Sequence, residues 1–137
     1  MPVEDDVRIT SILRTARSIA VVGASNKPYR DSNGIAEFLI RMGYDVVPVN
    51  PSYTEANGRR CYPNLAAIGR PADVVDVFRN PDAVDEVVDE AIATGAKVLW
   101  LQLGVVNEAA AARAESAGLE VIMDRCIAVE HRRLIRT

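Results

Sequence analysis

The chain has 137 residues, 49% of them apolar and 26% charged, with a net charge of −3. That length holds one core without staples, and aromatics at only 5% leave Val, Ile, Leu and Ala to build it. The mild acidity excludes a general nucleic-acid binder or a membrane-surface protein, so any anion site must be a local cluster of basic groups. No apolar run reaches membrane-spanning length. Cys61 and Cys126 form neither a C-x-x-C pair nor a disulfide framework, and no basic leader with an apolar stretch opens the chain. A cytoplasmic protein with reduced thiols is expected.

Asp5 or Asp6 can cap a first helix carrying a stripe of Val7, Ile9, Ile12, Leu13 and Ala16, so residues 1–17 read as a helical extension packed on the domain. The buried run Ile19-Ala20-Val21-Val22 then stops at Gly23, and after a polar loop Ile35, Ala36, Phe38, Leu39 and Met42 recur at helical spacing up to Gly43. This is a strand, a loop and a helix, the first half of a βαβ unit. A glycine there permits a sharp turn, and the helix N-terminus beyond it favours an anion, with phosphate the natural guest.

Strand two is Asp45–Val49, ended by Asn50-Pro51, and Asn57-Gly58 marks a turn in the polar loop that follows. Asn64–Ile68 fits one helical turn, and Ala72–Phe78 is strand three. Pro81 opens a helix with Val84, Val87, Val88, Ala91 and Ile92 on one face, stopping near Gly95. Strand four is Lys97–Leu103, Asn107 caps an alanine-rich helix to Ala117, strand five is Leu119–Met123, and Cys126–Leu134 is a closing helix. Strands alternating with helices define a single α/β domain over residues 1–137, a doubly wound five-stranded parallel sheet of Rossmann-like type with helices on both faces. The order 3-2-1-4-5 is expected, which puts the reversal of winding, and hence the ligand crevice, between strands one and four. The residues delivered there are Gly23-Ala24-Ser25, Asn50-Pro51, Phe78-Arg79-Asn80, Gln102-Leu103-Gly104 and Asp124-Arg125-Cys126.

The ligand is not read as NAD. The G-x-G-x-x-G fingerprint is broken after Gly23, the next glycine being Gly34, and strand two ends without the acidic residue that would hold ribose hydroxyls. Lys27, Arg30, Arg59, Arg60 and Arg79 instead fall on loops at the ligand edge, as a ligand richer in phosphate would need.

The motifs V-V-G-A-S-N-K-P at strand one, P-V-N-P at strand two, D-V-V-D-V-F-R at strand three, W-L-Q-L-G at strand four and M-D-R-C-I-A-V-E-H near the end carry a resemblance. Over nearly its whole length the chain resembles the small stand-alone CoA-binding proteins and is similar to the N-terminal domain of the succinyl-CoA synthetase α subunit. The resemblance implies coenzyme A or an acyl-CoA as the bound partner, with the first turn receiving a phosphate. Gly23, Ala24 and Ser25 would supply donors, and Lys27 and Arg30 charge. Asn50, Pro51 and Tyr53 would line the nucleotide side; Val77, Phe78 and Arg79 would border adenine or the pantetheine arm, with Gln102 and Leu103 opposite. The synthetase's second domain and its phosphorylated histidine have no counterpart here, so ligase chemistry does not carry over.

Cys126 and Glu130 share a helix face while His131 is turned away, which disfavours a Cys–His nucleophile. No residue is assigned a catalytic or a metal-binding role. Asp124 is read as a cap of the last helix, Trp100 as core, and Gln102 as a buried polar group that needs a partner. The expectation is a CoA-binding module without chemistry of its own. The alternatives are a CoA-linked thioesterase or acyl-transfer component, for which a homodimer would supply the missing wall, and an NAD(P)-binding protein.

Overall fold

The computed structural model describes residues 1–135 of the chain. In chain order the elements are α1 (Asp6–Thr15), β1 (Ser18–Val22), α2 (Asp31–Arg41), β2 (Asp45–Val49), β3 (Glu55–Ala56), β4 (Arg59–Arg60), β5 (Val74–Val77), α3 (Val84–Thr94), β6 (Val98–Leu101), α4 (Glu108–Ser116), β7 (Glu120–Met123) and α5 (Ile127–Leu134). Local chemistry sets many of the boundaries. The Asp5 carboxylate accepts from Val7 N, and the Asn107 side chain accepts from Ala110 N, so both helices start on the caps their sequences offer. Asn57 and Gly58 both have positive φ (55° and 69°), which closes the small β3–β4 hairpin with the twist such turns require.

Five strands form the parallel sheet, in the order β2-β1-β5-β6-β7. Counting only these, the order is 2-1-3-4-5. The doubly wound parallel fold is as expected, but the expected order 3-2-1-4-5 is corrected: strand three lies on the other side of strand one. Pro48 supplies one physical reason. It lacks a donor, and its carbonyl accepts from Tyr62 N at 3.0 Å on the side away from β1, so the strand carrying it sits where no ladder bond is lost, at an edge. The second reason is a reciprocal clamp. The Asp73 carboxylate accepts from Arg17 N (2.8 Å) and Ser18 N (3.1 Å), while Ser18 Oγ accepts from Asp73 N (3.0 Å), which fastens the start of β5 beside β1. Ser18→Ala is therefore expected to lower stability by about 1 kcal/mol, read from the midpoint of urea unfolding.

One face of the sheet is covered by α1, α2 and α5, whose Ile9, Ile12, Leu13, Leu39 and Ile127 pack with Val21, Trp100 and Ile122. On the other face α3 and α4 close over Val75, Val77, Leu99 and Val121. The outer edge of β2 is occupied by Tyr62, and at the opposite edge Val3 N donates to Val121 O of β7 at 2.7 Å. Among the described residues no helix is long and apolar enough to cross a membrane.

Candidate functional site

With this order the winding reverses between β1 and β5, and the crevice opens above their carboxyl ends. Gly23, which ends β1, has φ 91°, and a Cβ placed on it would lie 2.3 Å from Phe78 O. Only glycine lets the two chain ends approach this closely. A cavity of about 500 Å³ lies on the α2 side of this contact.

Seven of the expected residues line it: Gly23, Ala24, Ser25, Arg30, Asn50, Tyr53 and Phe78. Tyr29, Asp31 and Ser32 line it as well, and sequence reasoning missed them. The signal for Asp31 and Ser32 was available, since they are the first two residues of the helix whose apolar period begins at Ile35. Lys27 and Pro51 are exposed outside the wall, and Val77 is buried against α3 and α4. Arg79 is exposed but adjoins the turn, its Cδ 3.2 Å from the Cβ position at Gly23.

Gln102 and Leu103 do not reach the wall, because β6 is separated from β1 by β5. Gln102 has its partner inside the protein: its Oε1 accepts from Ile127 N at 3.1 Å, so it caps α5. Asp124, expected to do this, instead accepts from Gly104 N. Leu103 is 70% exposed. Arg59 also leaves the ligand edge, donating to Val46 O and approaching Asp45 along the outer side of β2. Arg60 lies over the Tyr62 ring at 4.6 Å.

Hydrogen bonds define what the site can do. Gly23 N and Ala24 N both turn to Val49 O (2.9 and 3.3 Å), so these two amides face the protein and not the cavity. Asn50 Nδ2 donates to Ala24 O, and Asn33 Nδ2 to Ser25 O, both at 2.8 Å, which fixes the loop from two sides. Ser25 Oγ accepts from Lys27 N and keeps its own proton for another acceptor. α2 has Arg30 at its N-cap with no side-chain cap. Among the described residues the amides of Ser25, Asn26, Asp31 and Ser32 therefore have no acceptor. Ser25, Asp31 and Ser32 line the cavity, so three of these free amides belong to residues of its wall, two of them at the N-terminus of α2. Arg30 lines the cavity and Arg79 adjoins the turn, neither in a salt bridge among the described residues, and the Asp31 carboxylate in the same wall offsets part of their charge.

Among the described residues the wall holds no nucleophile hydrogen-bonded to a base. Cys126 is at the N-cap of α5. Glu130 is bound by Arg125 and Arg133 at 2.6 and 2.8 Å; burial opposes its ionisation, but these two bonds outweigh that and pull its pKa down.

A doubly wound parallel sheet with a cavity at its switch point is the arrangement in which α/β proteins hold their ligands. The chain belongs to the CoA-binding domain family, whose profile matches residues 17–132. It is 41% identical over 123 residues to the uncharacterised protein YneT of Bacillus subtilis (strain 168), covering 90% of this chain and 91% of that one. A hypothetical protein from Pyrococcus horikoshii OT3 superposes with a TM-score of 0.95 at 43% identity, covering 99% of this chain and 97% of that one. An acetyl-coenzyme A synthetase of Ca. Korarchaeum cryptofilum in complex with phosphate and ADP matches with a TM-score of 0.73 at 28% identity, over 84% of this chain and 28% of that one.

Proposed function

We propose that the chain binds coenzyme A, free or acylated, with a phosphate of the ligand on the open N-terminus of α2, and performs no chemistry on it. The amides of Ser25, Asp31 and Ser32, without acceptors among the described residues and belonging to the wall of the roughly 500 Å³ cavity, carry this reading. Tyr29, Tyr53 and Phe78 in the same wall offer aromatic surface for a base or an apolar arm in a chain that has few aromatics. The family and the synthetase neighbour support the same ligand. The unpaired cations favour CoA over ligands with less phosphate.

Titration calorimetry with CoA, dephospho-CoA and NAD tests the ranking, and CoA is expected to bind tightest. Arg30→Ala is expected to cost about 1–3 kcal/mol of CoA binding, the size of a lost charge-assisted hydrogen bond. NAD binding as tightly as CoA, or full affinity in the Arg30 variant, would reject the assignment. The absence of acyl-CoA turnover is expected in the same preparation.

A further inference from the structure

His131, the single histidine of the chain, plays no part in the cavity above. It is 7% exposed, with its ring set edge-on to Phe38 and Tyr44 at 5.4 and 5.8 Å between centroids. None of the described residues exchanges a hydrogen bond with that ring, and its nitrogens are not among the sealed polar atoms that lack a partner. The ring borders a second hollow of about 480 Å³. Arg17 and Asp45 beside it stand at the starts of β1 and β2, so the hollow lies at the amino-terminal edge of the sheet. The length of β1, roughly 15 Å, separates it from the cavity at the carboxyl ends.

Arg14 and Arg17 line the hollow, and neither is in a salt bridge among the described residues, although the Arg17 charge also acts on Asp73. The nearby carboxylates are engaged elsewhere. Asp45 is held by Arg70 at 2.9 Å and approached by Arg59 at 3.7 Å, while Asp73 accepts from two backbone amides and faces Lys97 at 3.9 Å. Helices α1, α2 and α5 all end at this edge, and their carbonyl ends favour cations. An anion here must accordingly be held by side chains. Leu13, Met42 and Ile135 make the rest of the wall apolar.

We propose that this hollow is a second binding site, for a small carboxylate bearing a short aliphatic chain. Arg14 and Arg17 take the carboxylate, a ring N–H of His131 donates to one of its oxygens, and Leu13, Met42 and Ile135 cover the chain. Burial and the neighbouring Arg132 hold His131 below its ordinary pKa. Among the described residues the other charged side chains lining the hollow are Arg14, Arg17 and the already paired Asp45, and Glu130 on its own helix is paired with Arg125 and Arg133. The phenol of Tyr44 is neutral and donates to Leu13 O. A bound carboxylate favours the imidazolium, so binding takes up a proton and tightens as pH falls.

Because the histidine is unique, its ring proton resonances form an isolated reporter. Hexanoate and acetate, both ionised throughout, are titrated into the full chain at pH 6 and pH 8 while these resonances are followed. The expected result is a saturable shift, tighter at pH 6, with hexanoate stronger than acetate by roughly fourfold for each methylene that enters the hollow. In Arg14→Gln/Arg17→Gln, which alters exposed side chains only, hexanoate affinity is expected to fall about tenfold or more while CoA binding is unchanged. No saturable shift, equal affinity for the two acids, or an undiminished response in the double variant would each overturn the proposal. The readout does not involve CoA, so it stands or falls apart from the function proposed above.

Discussion

Gly23→Ala is expected to remove CoA binding and to destabilise the fold by about 2–6 kcal/mol. Two costs add. At φ 91° any side chain is strained, which accounts for about 1–3 kcal/mol. The new methyl carbon would also lie 2.3 Å from Phe78 O and 2.9 Å from Phe78 C. Those are backbone atoms held in place by Phe78 N donating to Val22 O at 2.8 Å, so they cannot rotate aside as a side chain would. Relief requires β1 and β5 to part at the crevice, an overpacking cost of about 1–3 kcal/mol. Gly34→Ala is the matched control. No atom lies within 4 Å of its Cβ position and it sits inside α2, so this change is expected to stabilise by about 0.5–1 kcal/mol and leave the ligand bound. Urea unfolding and calorimetry on the two variants read both effects. A Gly23→Ala protein that binds CoA normally would mean that the β1–β5 contact does not shape the site.

Asp76→Val is expected to stabilise the protein by about 1–3 kcal/mol at neutral pH, unusual for a change at the centre of a sheet. Asp76 is fully buried in β5 between Val21 and Trp100, and among the described residues neither carboxylate oxygen has a hydrogen-bond partner. Burial pushes its pKa well above the ordinary 3.8, so the folded chain keeps this proton after the unfolded chain has lost it. The sign follows from linkage. Below 3.8 both states are protonated and the penalty is least. As pH rises from there to the elevated folded value, the unfolded state releases a proton that the native state retains, and stability falls by about 1.4 kcal/mol per pH unit. The paired acids Asp6, Asp73, Glu120 and Glu130 act in the opposite direction, their pKa values lowered in the fold. The informative quantity is therefore the difference between variant and parent unfolding free energies across pH 4 to 8. A difference that does not grow with pH would show that Asp76 is ionised and satisfied in the native state.

Several features of the fold are written locally. Asn57-Gly58 fixes the hairpin, Asp5 and Asn107 fix helix starts, and Gly23 marks the strand end that receives Phe78. Strand order is not local. Periodicity says which residues form a strand but not which strand lies beside it, and the deciding contacts join residues more than fifty apart, as between Ser18 and Asp73. Pro48 did carry the information, since a proline in the middle of a strand argues for an edge. The expected order sets Gln102 and Leu103 beside β1, where Phe78 stands instead. Gln102 was rightly read as needing a partner, but a glutamine that caps a distant helix and one that meets a ligand look alike in one dimension. A glycine turn commonly offers its amides, which makes Gly23 and Ala24 expected donors. That both turn to Val49 depends on how close β2 runs, which only three dimensions reveal.

Tyr62 along β2 and Val3 along β7 have one further effect. An open parallel sheet has two unpaired borders, each a template on which a second molecule can add strands and start a fibre. Here one border carries a proline and a docked tyrosine, and the other is engaged by the chain's own beginning. Stacking of copies end to end through the sheet is thus blocked at both sides, and self-association of the native protein is left to its helical faces and its loops.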